Sequence, residues 1–327
     1  MIRIRSCHFL ITAILFADSV PAISQTPIYR VGVLMLGRPD RPQLRGLRDG
    51  LRDAGYTEGK NLRLEVPLKR TPDELRIVAN RFVAEKKDAI LTLGNIETTI
   101  AQEMTLQIPV LFMPTSDPVR YGFVKSLARP GTNITGLTYY VDLRESGKQI
   151  EIFKEIVFSL RRAFLLIDAR QEAPIDTTSA AVIRKVARRL GIELFEEPVE
   201  SLDEAEQAIS SLSKHTTDAI LITCSSLFAN LERIVAVSRQ KLIPVHGCSS
   251  AHVTQYGGAL FSYAPNMYQM GRRGAWYVDR ILKGAKVQEL PVETPRKFEL
   301  AINLRTAKEI GVNVPPEVLQ RADRVIK

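Results

Sequence analysis

The chain has little cysteine and no motif of the kind that holds a metal or performs catalysis. Its three cysteines form no CxxC pair, and its four histidines are not grouped with carboxylates at the spacing of a zinc site. The sequence also lacks a Gly-x-Ser-x-Gly elbow, a phosphate-binding loop and a GxGxxG fingerprint. We therefore expect no metal, no cofactor and no catalytic residues, which favours a binding protein over an enzyme.

Long basic runs and long apolar runs are also missing. The 327 residues carry a formal net charge of +9, but the basic residues are scattered and no aromatic residues are interleaved with them. A solvated basic surface explains this charge better than a nucleic-acid site does. Beyond the N-terminal segment, no apolar run reaches the roughly 20 residues of a membrane-spanning helix.

The N-terminal segment has the pattern of a secretory signal peptide. Two arginines within the first five residues precede a mostly apolar stretch, and Ala22-Ile23-Ser24 supplies the small residues of a cleavage site. Asp18 and Pro21 interrupt the apolar stretch, which makes an anchoring helix the weaker alternative. We therefore expect residues 1–24 to be removed and the mature protein to be periplasmic.

Two cysteines, Cys224 and Cys248, are left after this cleavage. An exported protein can oxidise such a pair. The two residues could form a disulfide or stay small buried thiols, and the sequence slightly favours the thiols.

Two stretches of the chain nearly repeat each other. DAILTLG at 88–94 returns as DAILITC at 218–224, and Asp73-Glu74 returns as Asp203-Glu204 at the same separation. An Ile-Pro-Val triplet recurs in the same order at a slightly longer separation. The chain therefore consists of two similar halves.

Each half alternates short apolar runs with stretches of helical spacing. Thr71-Pro72-Asp73-Glu74 has the pattern of a capping box, and Ser201 with Glu204 forms a second one. Strands that alternate with helices predict a parallel sheet covered by helices on both faces. The expected architecture is α/β, with two Rossmann-like doubly wound lobes.

The last part of the chain predicts a strand at 259–263, a long helix at 267–282 and a strand at 298–302. Because neither lobe accommodates this part as a simple appendix, we expect the chain to cross back between the lobes. The predicted first lobe is 28–137 plus 265–284, and the second is 138–264 plus 285–327.

Ligands of open α/β sheets bind beyond the carboxyl ends of the strands, so the residues that follow each strand are candidate contacts. Exposed amides at the helix start after Gly94 bind anions such as a carboxylate. Asp117 could hold an ammonium group or cap a turn. Tyr139 and Tyr263 lie where the chain passes between lobes, where they could stack on a ligand or pack in the interface. The candidate contacts are Gly37, Gly94, Asn95, Thr115, Ser116, Asp117, Tyr139, Asp168, Ser225, His246 and Tyr263.

Five segments together carry a family resemblance: RVGVLMLG, GLRDGLRDAGYTEGKNLRLE, IPVLFMPTSDPV, SLARPGTNITGL and KFELAINL. They resemble the ABC transporter substrate-binding proteins of the tryptophan/tyrosine-binding type. The resemblance covers nearly all of the mature chain. It implies the type I periplasmic binding protein fold, with two α/β lobes, three hinge crossovers and a cleft that closes over a small solute.

The resemblance also implies partners and contacts. The expected partners are a small polar solute, such as an amino acid or a related carboxylate or amide, and an ABC permease with its ATPase at the inner membrane. We expect a monomer and no nucleic acid. The contacts that the resemblance carries over are Gly94, Asn95, Thr115, Ser116, Asp117, Tyr139 and Tyr263.

The chain departs from the family pattern at the cleft. It reads GNIETT where relatives often have Gly-Gly or Gly-Thr followed by small residues, CSSLF where they often have Pro-Asp-Pro-Leu, and His246-Gly247-Cys248 where they usually have Tyr-Gly or a similar pair. These departures leave the identity of the ligand open.

Two alternatives to transport stay open at this point. One is a periplasmic sensor that passes a signal to a membrane receptor. The other is a racemase-like enzyme, which needs one reactive cysteine from each half. Cys224 and Cys248 both fall in the second half, which counts against the enzyme. His246 and Cys248 are also a poor base and nucleophile, because side chains two residues apart on one strand end need not converge.

Overall fold

The first lobe is built around a five-stranded sheet in which every neighbouring pair is parallel. Its strands are β1 (Tyr29–Leu34), β2 (Leu62–Glu65), β3 (Ala89–Thr92), β4 (Val110–Thr115) and β5 (Ile134–Thr138). Its helices are α1 (Pro42–Asp53), α2 (Pro72–Ala84) and α3 (Asn95–Met104). The strand order β2-β1-β3-β4-β5 reverses direction between β1 and β3, as in doubly wound folds.

These features come from a computed structural model that describes residues 27–37, 40–138, 144–169, 179–225, 227–228, 230–254, 258–295 and 297–327. The expected signal peptide at 1–24 lies outside the described residues. Within them, no helix is both long enough and apolar enough to cross a membrane.

The second lobe contains parallel and antiparallel strand pairs. Its strands are β6 (Arg162–Asp168), β7 (Glu193–Val199), β8 (Ala219–Ile222), β9 (His246–Gly247), β10 (Phe261–Pro265), β11 (Phe298–Asn303) and β12 (Arg324–Ile326). The parallel set β7-β6-β8 continues through a bridge from Ile220 to Val245 into β9-β10-β11-β12. Only the β10–β11 pair is antiparallel among the pairs described.

Helices cover both faces of this second sheet. They are α4 (Arg144–Ile156), α5 (Ser179–Arg189), α6 (Leu202–Ser210), α7 (Glu232–Gln240), α8 (Ser250–Thr254), α10 (Leu304–Ile310) and α11 (Pro316–Gln320). The remaining helix, α9 (Met267–Leu282), packs along α1 of the first lobe instead. The buried apolar residues of the two sheets form separate clusters.

The repeated sequence has the same structural role in both lobes. The side chain of Asp88 accepts the backbone N–H of Arg30 at 2.6 Å, and the side chain of Asp218 accepts that of Arg162 at 2.9 Å. Each aspartate therefore ties the start of a central strand, β3 or β8, to the strand beside it. The predicted equivalence of the two segments is confirmed.

The predicted capping box at α2 is also confirmed. The backbone N–H of Glu74 donates to the Thr71 hydroxyl at 3.3 Å, and the Glu74 carboxylate accepts the N–H of Thr71 at 3.2 Å. Ser201 caps α6 by half of this pattern: its hydroxyl accepts the N–H of Glu204 at 3.2 Å, but the Glu204 carboxylate accepts the N–H of Glu200, at 2.8 Å, instead of that of Ser201. At each helix start these bonds satisfy two backbone N–H groups that would otherwise lack a partner, which explains why these sequences begin helices.

The chain passes between the lobes three times, as the resemblance implied. It passes from β5 to α4, returns from β10 to α9, and passes again from the segment 287–293 to β11. At the second crossing, α9 lies close against α1, since a Cβ on Gly46 or Gly271 would overlap the backbone of the opposite helix.

Contacts of the segment 287–293 bear on the last boundary between the lobes, which the sequence predicted after residue 284. Val287 and Val292 are buried in the core of the first lobe, and the N–H of Thr138 donates to the carbonyl of Glu293 at 2.9 Å. Arg273 of α9 also pairs with Glu293, with its Nε 2.9 Å from a carboxylate oxygen. The division into lobes remains a proposal, and these contacts favour a last boundary after residue 293 rather than after 284.

Candidate functional site

The carboxyl ends of β3 and β4 are joined by a pair of polar side chains. The Asn95 side-chain amide donates to the Ser116 hydroxyl at 2.7 Å, and the backbone N–H of Ser116 donates to the Asn95 side-chain oxygen at 2.9 Å. Both residues are half-buried. The structure therefore brings these two predicted contacts together at one edge of the first sheet.

The two residues on either side of Ser116 have different surroundings. Thr115 is fully buried, and its hydroxyl has no hydrogen-bond partner among the described residues. Asp117 has a φ of +41°, and its carboxylate accepts the backbone N–H of Arg120 at 3.2 Å. Asp117 thus stabilises a turn, the second of the two roles that the sequence left open for it.

The start of α3 is occupied by a carboxylate that the sequence did not single out. Glu97 is 5% exposed, and its Oε1 accepts the backbone N–H of Leu36 at 2.9 Å. Burial raises the pKa of Glu97, while the amides of Leu36 and of Glu97 itself and the charge of Arg41 oppose this rise. Because the Glu97 carboxylate takes up its own amide in the first turn of α3, that amide is less free to bind a ligand anion than we expected from the sequence.

Glycine at position 94 makes room for this carboxylate. Gly94 has a φ of +148°, and a Cβ there would overlap Glu97 Oε2. The nearby Gly37, another predicted contact, has a φ of +88°, and its N–H donates to the carbonyl of Lys69 at 3.0 Å. Gly37 therefore allows the positive φ of the backbone after β1, and Gly94 leaves room for the Glu97 side chain after β3.

Arg41 braces the same two strand ends. Its guanidinium donates to the carbonyl of Leu36 at 2.6 Å and to that of Leu93 at 3.4 Å. Leu36 is consequently held through both backbone groups, its N–H by Glu97 and its C=O by Arg41. The sequence signal for this arrangement was the acidic residue in the first turn of α3.

The edge of the second lobe is tied by a disulfide. Cys224, after β8, is bonded to Cys248, after β9, with their Cα atoms 5.5 Å apart. The slight preference for free thiols was wrong, because the two neighbouring strands end with these cysteines side by side. The disulfide also removes the two thiols that a racemase-like mechanism would need.

Two predicted contacts of the second lobe lie beside this disulfide. Asp168 is buried at the end of β6, and its backbone N–H donates to the Thr223 hydroxyl at 3.1 Å. Ser225 has a buried hydroxyl without a hydrogen-bond partner among the described residues. Ser225 follows β8 as Asn95 follows β3, so the two residues hold equivalent places in the two lobes.

His246 lies in the apolar core and not at the cleft edge. Its ring is 6.2 Å from that of Phe153 and 6.1 Å from that of Phe261, measured between centroids. Burial, with a smaller contribution from His252, lowers the pKa of His246 to about 3. A neutral imidazole inside the core is a packing residue, and this placement argues against the predicted ligand contact.

One of the two predicted hinge tyrosines, Tyr263, lies within the described residues. Tyr263 stacks on Phe298 with 5.5 Å between centroids, and its carbonyl accepts the side-chain amide of Gln149 at 2.9 Å. Its side chain is half-buried next to the second crossover. Tyr139 lies outside the described residues. Within the described chain, no group of three His, Cys, Asp or Glu side chains could hold a metal ion.

Comparisons with known proteins identify a family that covers most of the chain. Residues 37–326 match the family described as ABC transporter substrate binding protein. A "Tyrosine-binding protein" of Clostridioides difficile (strain R20291) is 25% identical over 270 residues, which are 82% of this chain and 76% of that protein.

Solved structures share the two-lobed fold. A conserved domain protein of Vibrio cholerae superposes with a TM-score of 0.76 at 27% identity, covering 92% of this chain and 99% of that one. An ABC domain from Streptococcus pneumonia in complex with L-Trp superposes with a TM-score of 0.77 at 21% identity, covering 91% of this chain and 100% of that one. At that identity, the second similarity shows the fold alone.

Proposed function

We propose, from the premise that this chain belongs to the ABC transporter substrate-binding protein family, that it captures a small polar solute between its two lobes and delivers it to an ABC permease. The observation that carries the proposal is the tied polar edge at the end of each central strand, Asn95 with Ser116 in the first lobe and Ser225 beside the disulfide in the second. Such edges are where open α/β sheets bind ligands.

An α-amino acid is the solute class that we propose. The curated relative is named for tyrosine, and one structure of the same fold holds L-Trp. Aromatic amino acids are therefore the first candidates, with related carboxylates and amides next. We further propose that the mature protein is a periplasmic monomer, exported by cleavage after residue 24, and that it performs no catalysis.

Binding would proceed by hinge closure. A ligand that contacts both edges favours the closed arrangement by the difference between its affinities for the closed and open states. Asn95, Ser116 and Asp117 would act from the first lobe, and Ser225 and Asp168 from the second. Tyr263, beside the second crossover, would offer an aromatic face to the bound solute.

A thermal-shift screen of the mature protein tests this proposal. The panel contains the amino acids, aromatic acids, amides and small sugars. A solute that binds only the folded state adds about 2.7 kcal/mol of stability at 100 times its Kd. We expect a rise in Tm with one or a few amino acids, and isothermal titration calorimetry should then give one site per chain.

The variant Asn95→Ala tests whether the ligand binds at the edge formed by Asn95 and Ser116. It removes the reciprocal bonds to Ser116, so we expect it to weaken binding, whereas Asn61→Ala, in an exposed turn of the same lobe, should not. A protein that responds to no amino acid, or only to sugars, would refute the proposed solute class. Equal affinity of wild type and Asn95→Ala would refute the proposed edge.

A further inference from the structure

The switch point of the first sheet holds a buried carboxyl side chain, that of Glu97, which was not among the contacts predicted from the sequence. The strand order reverses between β1 and β3, and the crevice outside the carboxyl ends of two such strands is the usual ligand position in doubly wound sheets. Glu97 spans this crevice, because it starts on the helix after β3 and binds the N–H of Leu36 after β1.

Bracing alone does not explain a carboxylate here. The carboxylate accepts the amides of Leu36 and of Glu97 itself, but a neutral glutamine could still accept the N–H of Leu36, and a buried carboxylate is costly unless its charge is compensated. Lys87, the buried cation of the same lobe, has two carboxylates, those of Glu65 and Glu85, each 2.8 Å from its ammonium. For Glu97, the nearby cation is Arg41, whose guanidinium also binds two backbone carbonyls.

The surroundings of Glu97 leave its second oxygen facing a backbone without a side chain. Glu97 Oε2 lies 2.4 Å from the position that a Cβ of residue 94 would take, and residue 94 is glycine. Thr115, at the end of β4, has a buried hydroxyl without a hydrogen-bond partner among the described residues. The same sheet edge therefore offers a second polar group that could bind a ligand. A cationic group of a ligand would compensate the carboxylate at this point.

We propose that Glu97 receives the ammonium group of the amino acid, an assignment that rests on the proposed function. The carboxylate at the start of α3 then selects for solutes with an amino group, and Arg41 keeps it in place by holding the same strand end. Asp117, the ammonium partner expected from the sequence, is instead engaged in its turn.

Three probes that differ by one charged group test the assignment. They are L-tryptophan, tryptamine, which lacks the carboxylate, and 3-indolepropionate, which lacks the ammonium. Calorimetry compares the wild type with Glu97→Gln, which retains an acceptor for Leu36. Glu103→Gln is the matched control, because Glu103 lies on the same helix but is exposed and pairs with Arg76.

The expected result is selective. Glu97→Gln should weaken L-tryptophan and tryptamine about tenfold or more, in line with hydrogen bonds to charged groups, and leave 3-indolepropionate within about twofold. Glu103→Gln should leave all three affinities unchanged. Gly94→Ala, which displaces the carboxylate without removing it, should reproduce the loss. Circular dichroism confirms that each variant is folded.

Other results would overturn the assignment. If Glu97→Gln changes L-tryptophan and 3-indolepropionate equally, Glu97 is a structural brace. If Asp117→Asn, and not Glu97→Gln, removes the preference for the amino group, the ammonium partner is Asp117. In both cases the wild type still binds an amino acid and the proposed function survives. If the wild type binds neither L-tryptophan nor any other amino acid of the screen, both proposals fall.

Discussion

Removal of the Cys224–Cys248 disulfide should destabilise one lobe and spare the other. The bond closes a loop with a sequence separation of 24 and ties the ends of β8 and β9. In the chain-entropy treatment, a loop of this length contributes about 3.5 kcal/mol at 25 °C. For a lobe of about 150 residues, this loss corresponds to a fall in Tm of roughly 7–14 °C.

Urea unfolding of the double variant Cys224→Ser/Cys248→Ser can separate the two lobes. Trp276, the single tryptophan of the chain, lies on α9 and reports on the first lobe by its fluorescence. Far-ultraviolet circular dichroism reports on both lobes. We expect the dichroism to gain an early transition while the Trp276 transition moves little, because the two lobes have separate cores. Reduction of the wild-type protein with a dithiol should have the same effect.

Two results would refute this reasoning. A loss below about 1 kcal/mol would mean that the disulfide hardly restricts the unfolded chain, contrary to the loop-closure argument. A Trp276 transition that shifts as far as the dichroism would mean that the lobes unfold as one unit. The division of the chain proposed above would then have no energetic counterpart.

Three further predictions follow from single residues. Burial keeps His246 neutral in the fold, because it lowers the pKa of the imidazole from its ordinary 6.5 to about 3, so the stabilising contribution of His246 is present above pH 6.5 and lost as the pH falls. The free energy of unfolding of the wild type should therefore drop about 2 kcal/mol more than that of His246→Leu between pH 6.5 and 5. Equal drops would contradict the burial argument. Burial raises the pKa of Glu97, so the contribution of this group to stability is present at acid pH and lost as the pH rises. Glu97→Gln should therefore raise the Tm at pH 7, with a smaller gain at pH 4. A lower Tm of this variant at pH 7 would show that the charge stabilises the fold. Gly94→Ala should lower the free energy of unfolding in urea by about 1–3 kcal/mol, because alanine is strained at this φ. Gly284→Ala is the control: it lies at a helix end with open space, so it should lose only the part of this free energy that is due to its positive φ.

The repeated segments predicted the fold because their signals are local. The aspartates of the two DAIL segments and the two capping boxes act within a strand pair or a helix turn. A period of apolar residues and a cap are therefore enough to place them. The predicted helix at 267–282 is confirmed as α9 for the same reason.

The site was less predictable because it depends on contacts between distant residues. Glu97 binds an amide 61 positions away, and nothing near it in the sequence indicates that its side chain turns toward β1. The pairing of Cys224 with Cys248 depends on two strands being neighbours, and the burial of His246 depends on Phe153 from a distant helix. The sequence did not indicate that the segment 287–293 contacts the first lobe, because its apolar residues fit either lobe until the packing is known.

The most direct test of the account is closure of the two lobes on an amino acid. Small-angle X-ray scattering should be measured on the mature protein, alone and saturated with the amino acid that gives the largest thermal shift. Hinge closure predicts a smaller radius of gyration with the ligand, and Asn95→Ala should need more ligand to reach it. An unchanged radius of gyration at saturation would contradict capture between the lobes.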